Sequence, residues 1–157
     1  LERGEHVLQE IIAEAVTTNQ PFAEKEGVTL HIEQPEEPIR MYVDRTRLLQ
    51  LVSTLIVNGI NYNYDGGEVR VQLRREEDTL GNSTIILEVS DTGEGIDAHL
   101  LPAQIFEPFV RPSQGTRRET GMGLALARRI TQLHGGRIQA ENDSNSGSVF
   151  RVILHQD

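Results

Sequence analysis

The chain has 157 residues, of which 37% are hydrophobic and 25% are charged, which suits one soluble domain with a single core. Its net charge of −9 argues against nucleic acid as a partner, because binding to phosphate backbones needs clustered cations. Cysteine is absent and no apolar run approaches the roughly 18 residues that span a bilayer, so we expect no disulfide, no thiol nucleophile and no direct membrane contact.

The first part of the chain alternates between helical and strand patterns. Apolar residues recur at helical spacing over residues 5–19, which predicts an amphipathic helix. Short alternating runs at 27–33 and 39–43 predict two strands on either side of a proline-containing turn. Asp44 suits the N-cap of a second helix, which we predict over residues 45–62.

This second helix carries two different stripes. Leu48, Leu51, Val52, Leu55 and Gly59 form an apolar face. The neighbouring stripe carries Thr54, Asn58, Asn61 and Tyr62, so polar groups stack along one line of the helix.

The second half of the chain contains more strands than helices. We predict strands over residues 68–75, 83–90, 137–142 and 148–154, and a helix that opens on glycines over 121–133. The segment between them, residues 97–120, shows little periodicity, and loops of that length are usually functional. Strands joined mainly by hairpins, with helices to cover one face, predict an α+β fold, a two-layer α/β sandwich in a single domain over residues 1–157.

The run Asp-Thr-Gly-Glu-Gly-Ile at 91–96 directly follows a predicted strand. A carboxylate at a strand end can accept a hydrogen bond from an exocyclic amine, as adenine offers. Gly93 and Gly95 let the backbone turn tightly and approach a flat ligand. Taken alone, the same run is equally well an ordinary turn.

Two common phosphate-binding loops are excluded. The P-loop needs a lysine before Ser or Thr, but the only lysine, Lys25, precedes Glu26. The dinucleotide fingerprint needs a third glycine where this chain has Leu126. The sequence also has neither a His-Glu-x-x-His helix nor a Gly-x-Ser-x-Gly elbow, so we expect no hydrolase built on its own side chains.

Four motifs in a fixed order change this interpretation. Asn58, then Asp91 with its two glycines, then Ile-Phe-Glu-Pro-Phe at 105–109 and Thr-Gly-Met-Gly-Leu at 120–124, follow one another along the chain. They resemble the N box, first glycine box, F box and second glycine box of the histidine kinase catalytic domain, a member of the GHKL ATPase superfamily. The resemblance covers residues 44–150. It implies the Bergerat fold, with a mixed, mostly antiparallel sheet covered on one face by about three helices, and a long mobile ATP lid at 97–120.

The resemblance implies how adenine is read. Asp91 would accept from the N6 amine of adenine, whereas guanine offers an oxygen there and is repelled, so ATP is favoured over GTP. Gly93 and Gly95 would let the backbone and a bound water meet the base edge. Ser148 resembles the hydroxyl residue that holds this water, and Tyr62 the aromatic residue that packs on adenine.

The resemblance also implies the metal and phosphate ends of the site. Asn58 resembles the catalytic asparagine whose amide oxygen ligates Mg²⁺. Gly121 and Gly123 would present N–H groups to phosphate at a helix start, and Phe106 and Phe109 would anchor the lid. The implied nucleotide-binding set is Asn58, Asn61, Tyr62, Asp91, Gly93, Gly95, Ile96, Phe109, Arg111, Arg117, Arg118, Thr120, Gly121, Met122, Gly123, Leu124 and Ser148.

Four positions depart from the family pattern. Relatives commonly have Asn in place of Thr54, Ala in place of Gly59, a cation in place of Asn61 and, in many cases, Gly in place of Glu119. Without the cation, Arg111, Arg117 or Arg118 would have to contact the phosphates. In gyrase, the mismatch-repair ATPase and the heat-shock chaperone, glutamate stands at the position of Thr54 and activates water. Threonine cannot serve as that base, so transfer is favoured over hydrolysis.

As a whole, the resemblance implies the ATP- and Mg²⁺-binding catalytic domain of a bacterial two-component sensor histidine kinase. It would donate the γ-phosphoryl group of ATP to a histidine on a separate dimerisation domain, and residues 1–19 would be a helix continuing from that domain's hairpin. None of the five histidines has the phosphoacceptor context, so we expect no autophosphorylation by this chain alone and a surface or capping role for His134. The expected partners are the dimerisation domain and a response regulator or receiver domain. The expected location is cytoplasmic, as a free protein or as the cytoplasmic part of an inner-membrane kinase.

Two alternatives stay open at this point. One is a degenerate GHKL module that binds nucleotide or a partner without turnover, in which Thr54, Asn61 and Glu119 mark lost activity. The other is a serine kinase of the anti-sigma type.

Overall fold

The computed structural model describes residues 1–101, 104–108, 123–144 and 146–156. The elements are β1 (Arg3–Val7), α1 (Leu8–Lys25), β2 (Thr29–Glu33), β3 (Arg40–Asp44), α2 (Arg45–Asn61), β4 (Glu68–Glu77), β5 (Ser83–Asp91), α3 (Gly123–Leu133), β6 (Arg137–Asn142) and β7 (Ser148–Gln156). Two short 3₁₀ turns, Ala98–Leu100 and Gln104–Phe106, lie between β5 and α3. Among these residues, no helix is both long enough and apolar enough to cross a membrane.

The strands form one large sheet and one small one. The large sheet has five strands in the order β2-β4-β5-β7-β6, in which only β2 and β4 run parallel. β1 and β3 form a separate antiparallel pair. The predicted α+β sandwich with a mixed, mostly antiparallel sheet is therefore confirmed.

The three helices cover one face of the large sheet. Side chains of β5 alternate, so that Ile85, Leu87 and Val89 enter a core that also contains residues of α1, α2 and α3. On the opposite face, Glu88 pairs with Arg74 of β4 and Arg151 of β7. One face is thus apolar and covered, while the other is polar and ion-paired.

The start of the chain differs from the prediction. The helix predicted over residues 5–19, and over 1–19 from the family resemblance, begins at Leu8, because Arg3–Val7 is a strand. The main chain of β1 pairs with β3, from Arg3 opposite Asp44 to Val7 opposite Arg40. This pairing satisfies the backbone groups of β3, which does not pair with β2 across the proline-containing turn. Gly4, a poor helix former, also lies in this strand.

Asp44 joins three elements at one end of the molecule. Its carboxylate accepts hydrogen bonds from the backbone N–H of Arg47, at 3.1 Å, and of Glu2, at 2.9 Å, so the predicted N-cap is confirmed. These two donors hold the pKa of Asp44 below its ordinary value. The Asp44 N–H donates to Nε2 of His134 at 3.1 Å, and Nδ1 of His134 contacts the Ile130 carbonyl at 2.9 Å. The capping role predicted for His134 is therefore confirmed.

Candidate functional site

Asp91 ends β5 as a buried carboxylate, with 6% of its surface exposed. Oδ2 accepts from the Ser148 hydroxyl at 2.8 Å, and Oδ1 accepts from the N–H of Gly93 at 2.9 Å and of Ser148 at 3.3 Å. Burial raises the pKa of Asp91 above its ordinary value, and these hydrogen bonds oppose the rise only in part. A carboxylate offers about four acceptor positions, so this one can still accept from another donor.

Two glycines allow the backbone to pack tightly around Asp91. A Cβ atom at Gly93 would lie 2.1 Å from the Tyr62 carbonyl oxygen, and one at Gly147 would lie 1.9 Å from the Asp91 carbonyl oxygen. Gly147 also has φ of +83°, which disfavours other residues. Of these two glycines, only Gly93 belongs to the predicted site.

The loop that follows β5, residues 91–96, is held from two sides. On the helix side, the N–H of Glu94 donates to the Tyr62 carbonyl at 3.1 Å. On the sheet side, the Asn142 side chain both accepts from the Ile96 N–H, at 2.7 Å, and donates to the Ile96 carbonyl, at 2.8 Å. Sequence reasoning missed Asn142, because its partner lies 46 residues away and Asn142 is the last residue of an ordinary predicted strand.

The polar stripe of α2 connects this loop with the start of α3. At one end, Tyr62, the C-cap residue that directly follows α2, contacts the loop through its carbonyl. At the other end, a Cβ at Gly123 would lie 3.3 Å from the methyl group of Thr54. Asn58 lies midway, four residues from each end, and is buried with 5% of its surface exposed. The stripe thus spans the distance between a carboxylate and the first turn of a helix, whose N–H groups suit an anion.

Gly59 explains how α2 comes so near to Asp91. A Cβ at Gly59 would lie 3.1 Å from a methyl group of Val69 and 3.6 Å from the Cβ of Asp91. The absence of a side chain therefore lets the helix that carries Asn58 pack against the ends of β4 and β5.

The remaining predicted residues fall into two groups. Ile96 and Leu124 are buried in the core, so their side chains support the site from within. Phe106 is also buried and packs edge-on against Phe150, with ring centroids 6.0 Å apart, as expected for an anchor. The following predicted residues lie outside the described part of the chain, as does Glu119, a departure from the family pattern: Phe109, Arg111, Arg117, Arg118, Thr120, Gly121 and Met122.

Residues 43–157 match the sequence model of the family described as "Histidine kinase-, DNA gyrase B-, and HSP90-like ATPase". The chain belongs to this family. Within it, the chain is similar to histidine kinases, and the alginate biosynthesis sensor protein KinB of Pseudomonas aeruginosa is 31% identical over 147 residues. That match covers 94% of this chain but only 24% of KinB.

Solved structures of histidine kinases share the fold over the whole chain. The catalytic domain of histidine kinase ThkA, in a nucleotide-free form, has a TM-score of 0.84 and 27% identity, and the match covers 99% of this chain and 97% of that domain. ThkA in complex with the response regulator protein TrrA gives a TM-score of 0.79 and 28% identity, and the match covers 100% of this chain and 42% of that one. The expected histidine kinase catalytic domain is therefore confirmed as the class of protein.

Proposed function

We propose that this domain binds ATP with Mg²⁺ and donates the γ-phosphoryl group to a histidine on the dimerisation domain of a sensor histidine kinase. The observation that carries the proposal is the stripe of α2 from Thr54 to Tyr62, which joins the Asp91 loop to the start of α3. A nucleotide laid along this stripe has its base beside a carboxylate and its phosphates beside helix N–H groups.

The adenine end rests on the hydrogen bonding of Asp91. The carboxylate is buried and oriented by Ser148 and Gly93, yet keeps capacity for one more donor. The N6 amine of adenine is such a donor, and guanine presents a carbonyl oxygen at the same position. An oxygen facing a buried carboxylate is repelled, so the site selects ATP over GTP.

The residues present fit one magnesium ion held mainly by the nucleotide. Among the described residues there is no cluster of three or more acidic, histidine or cysteine side chains that would form an all-protein metal site. Mg²⁺ usually keeps several waters and takes only one or two protein ligands beside phosphate oxygens. Asn58, buried midway along the stripe, would supply one such amide oxygen. When bound, the ion neutralises phosphate charge that would otherwise face a protein with a net charge of −9.

The chemistry that follows is transfer rather than hydrolysis. Thr54, beside Gly123, carries no carboxylate that could activate a water near the phosphates. An imidazole nitrogen of the partner would form the new bond to the γ-phosphorus while the bond to the β–γ bridging oxygen breaks and ADP leaves. This chain orients the nucleotide for that step, so the chain alone yields no phosphohistidine.

The partners of the domain follow from this assignment. The acceptor histidine lies on the dimerisation domain, and the phosphoryl group then passes to a response regulator or receiver domain. The complex of ThkA with the response regulator protein TrrA supports a response regulator as a partner, since the match covers 100% of this chain, although only 42% of the ThkA chain. We place the domain in the cytoplasm, where ATP is available.

Calorimetric titration with ATP and GTP, with and without Mg²⁺, tests the nucleotide assignment. We expect ATP with Mg²⁺ to bind in the micromolar to millimolar range and GTP to bind more weakly. Asp91→Asn should weaken ATP binding about 10- to 100-fold, the cost of a hydrogen bond to a charged group. Asp78→Asn is the matched control, since Asp78 also accepts backbone N–H groups in a turn but lies at the other end of the β4–β5 hairpin. No binding of any adenine nucleotide at millimolar ligand would overturn the proposal.

Addition of the dimerisation domain tests the transfer step. Phosphohistidine should form on the added domain and should be lost with Asp91→Asn. ATP binding without transfer would favour the degenerate interaction module instead. Phosphoserine on a partner would favour the anti-sigma type of kinase.

A further inference from the structure

We propose that the β6–β7 turn together with the strand ends that flank it, residues 142–144 and 146–148, is a specificity element of the nucleotide site, and that Asn142 is its positioning residue. This inference rests on the proposed function and deepens it. None of the four motifs that identify the site includes this turn, although its last residue, Ser148, belongs to the nucleotide-binding set that the family resemblance implies. The turn nevertheless makes contacts with residues 91, 92, 93 and 96 of the adenine-reading loop.

The side chain of Asn142 hydrogen-bonds to the loop backbone in the way that the main chain of a neighbouring strand would. Its amide satisfies both the N–H and the carbonyl of Ile96, at 2.7 Å and 2.8 Å. Its Oδ1 also lies 3.1 Å from the place where a Cβ of Gly95 would stand, so the amide packs against Gly95 itself. Gly95 has φ of +81°, a conformation from which a free glycine readily escapes. Asn142 therefore holds Gly95, one of the two glycines of the loop, in one conformation.

The rest of the turn fixes the other end of the loop. The Ser146 hydroxyl lies 3.3 Å from the Thr92 carbonyl and 3.2 Å from the Gly93 carbonyl, and can donate to either. Gly147 packs against the Asp91 backbone, and Ser148 binds the Asp91 carboxylate through both its N–H and its hydroxyl. The turn thus orients the carboxylate and the backbone beside it at the same time.

The consequence is preorganisation of the base-binding end. A loop that is already ordered loses less conformational freedom when ligand binds. Without Asn142, Gly95 and Ile96 lose a fixed partner and become ordered only when ligand binds. The free energy of this ordering should lower the affinity roughly tenfold. Because the loop faces the base, the loss should be the same factor for adenosine, ADP and ATP, and the preference for ATP over GTP should fall.

The test compares Asn142→Ala and Asn142→Asp with a matched control, Asn82→Ala. Asn82 is a turn asparagine of the β4–β5 hairpin, where its side chain contacts Asp78. Asn142→Asp keeps an acceptor for the Ile96 N–H but places a carboxylate oxygen against the Ile96 carbonyl, so it should weaken binding at least as much as Asn142→Ala. Asn82→Ala should leave every affinity unchanged.

Two readouts distinguish this inference from the proposed function. For each Asn142 variant, calorimetry should give the same factor of loss with adenosine, ADP and ATP, about tenfold for Asn142→Ala and at least as much for Asn142→Asp. Hydrogen exchange of the ligand-free protein should show faster exchange in residues 93–96, with the strands of the large sheet unchanged. Wild-type affinity, a loss confined to ATP, or unchanged exchange in the loop would overturn the role of Asn142. Failure of the wild-type protein to bind any adenine ligand would instead overturn the proposed function.

Discussion

Gly147 lies directly against the main chain of Asp91, so that a Cβ at position 147 would come within 1.9 Å of the Asp91 carbonyl oxygen and 2.9 Å of Oδ1. On the other side of the loop, Gly93 lies just as close to Tyr62. The buried carboxylate is thus enclosed by backbone from two directions, and each approach depends on a missing side chain.

Gly147→Ala should strongly destabilise the protein. A positive φ alone costs an alanine about 1 kcal/mol, and displacement of the Asp91 backbone adds roughly 1–3 kcal/mol. Gly81→Ala is the matched control, because Gly81 has φ of +85° but has nothing within 4 Å of its missing Cβ. Chemical denaturation of both variants measures the difference. Equal losses of unfolding free energy would show that the close contact at Asp91 has no energetic consequence.

Asp91→Asn should leave the ligand-free protein at least as stable as the wild type at pH 7, although it weakens nucleotide binding. Burial raises the pKa of Asp91, so the native state disfavours the charged form, and ionisation destabilises the wild type as pH rises through the folded pKa. Asparagine keeps an acceptor for Gly93 and carries no charge. The advantage of the variant should shrink as pH falls toward 3, below the ordinary Asp pKa of about 3.9.

Urea denaturation at several pH values measures this difference. A variant much less stable than the wild type at pH 7 would contradict the expected cost of the buried charge. A difference that grows toward acid pH would contradict it as well.

The residues that the sequence predicted for this site share a local signal. Asp91 and its glycines form a short run after a strand, and Asn58 and Tyr62 fall on one stripe of a helix, while the resemblance to the histidine kinase catalytic domain joined these two groups into one site. Asn142 has no such signal, since its effect arises only when the β6–β7 turn folds onto the loop. Long-range contacts between a polar turn and a loop backbone leave no periodic pattern to detect.

The error at the start of the chain has a similar origin. Val7 fits the apolar spacing of the helix that follows, so periodicity extended the helix backwards into β1. Whether residues 3–7 become strand depends on the availability of β3 as a partner, which a window of sequence does not contain. The five strands of the large sheet were predicted because each carries its own alternation or turn signal.

Glu88→Gln should destabilise the protein by about 1–2 kcal/mol near neutral pH, because it removes the charge and one of the two oxygens that accept from the two arginines. Glu88 contacts Arg74 and Arg151, and its side chain is only 13% exposed. Burial raises its pKa, but the two arginines outweigh burial and hold the pKa below the ordinary value. Because its pKa is lower in the folded than in the unfolded protein, ionised Glu88 stabilises the fold at pH values above the unfolded pKa, about 4.3 for Glu. This contribution is lost as pH falls through the folded pKa. The difference between variant and wild type should therefore vanish in acid.

Glu76→Gln is the control, since Glu76 contacts the same Arg74 at 3.1 Å with a side chain that is 56% exposed. Exposed ion pairs of this kind contribute little to stability, so Glu76→Gln should lower the free energy of unfolding by less than about 0.5 kcal/mol. Thermal unfolding from pH 3 to 8 compares the two variants. Equal effects at every pH would show that the shared position of Glu88 contributes nothing beyond an ordinary surface pair.

His134→Ala should cost about 1–3 kcal/mol of stability, because it leaves the Asp44 N–H without its acceptor and removes one of the two donors to the Ile130 carbonyl. The neutral ring accepts the Asp44 N–H at Nε2 and donates from Nδ1 to the Ile130 carbonyl, so it links the N-cap of α2 to the end of α3. His155→Ala, at an exposed position of β7, should change stability by less than about 0.5 kcal/mol. Because α3 begins at Gly123, beside Thr54, loosening of its far end should also raise hydrogen exchange along α3. Unchanged exchange in α3, together with wild-type stability, would show that the ring is an incidental neighbour of Asp44.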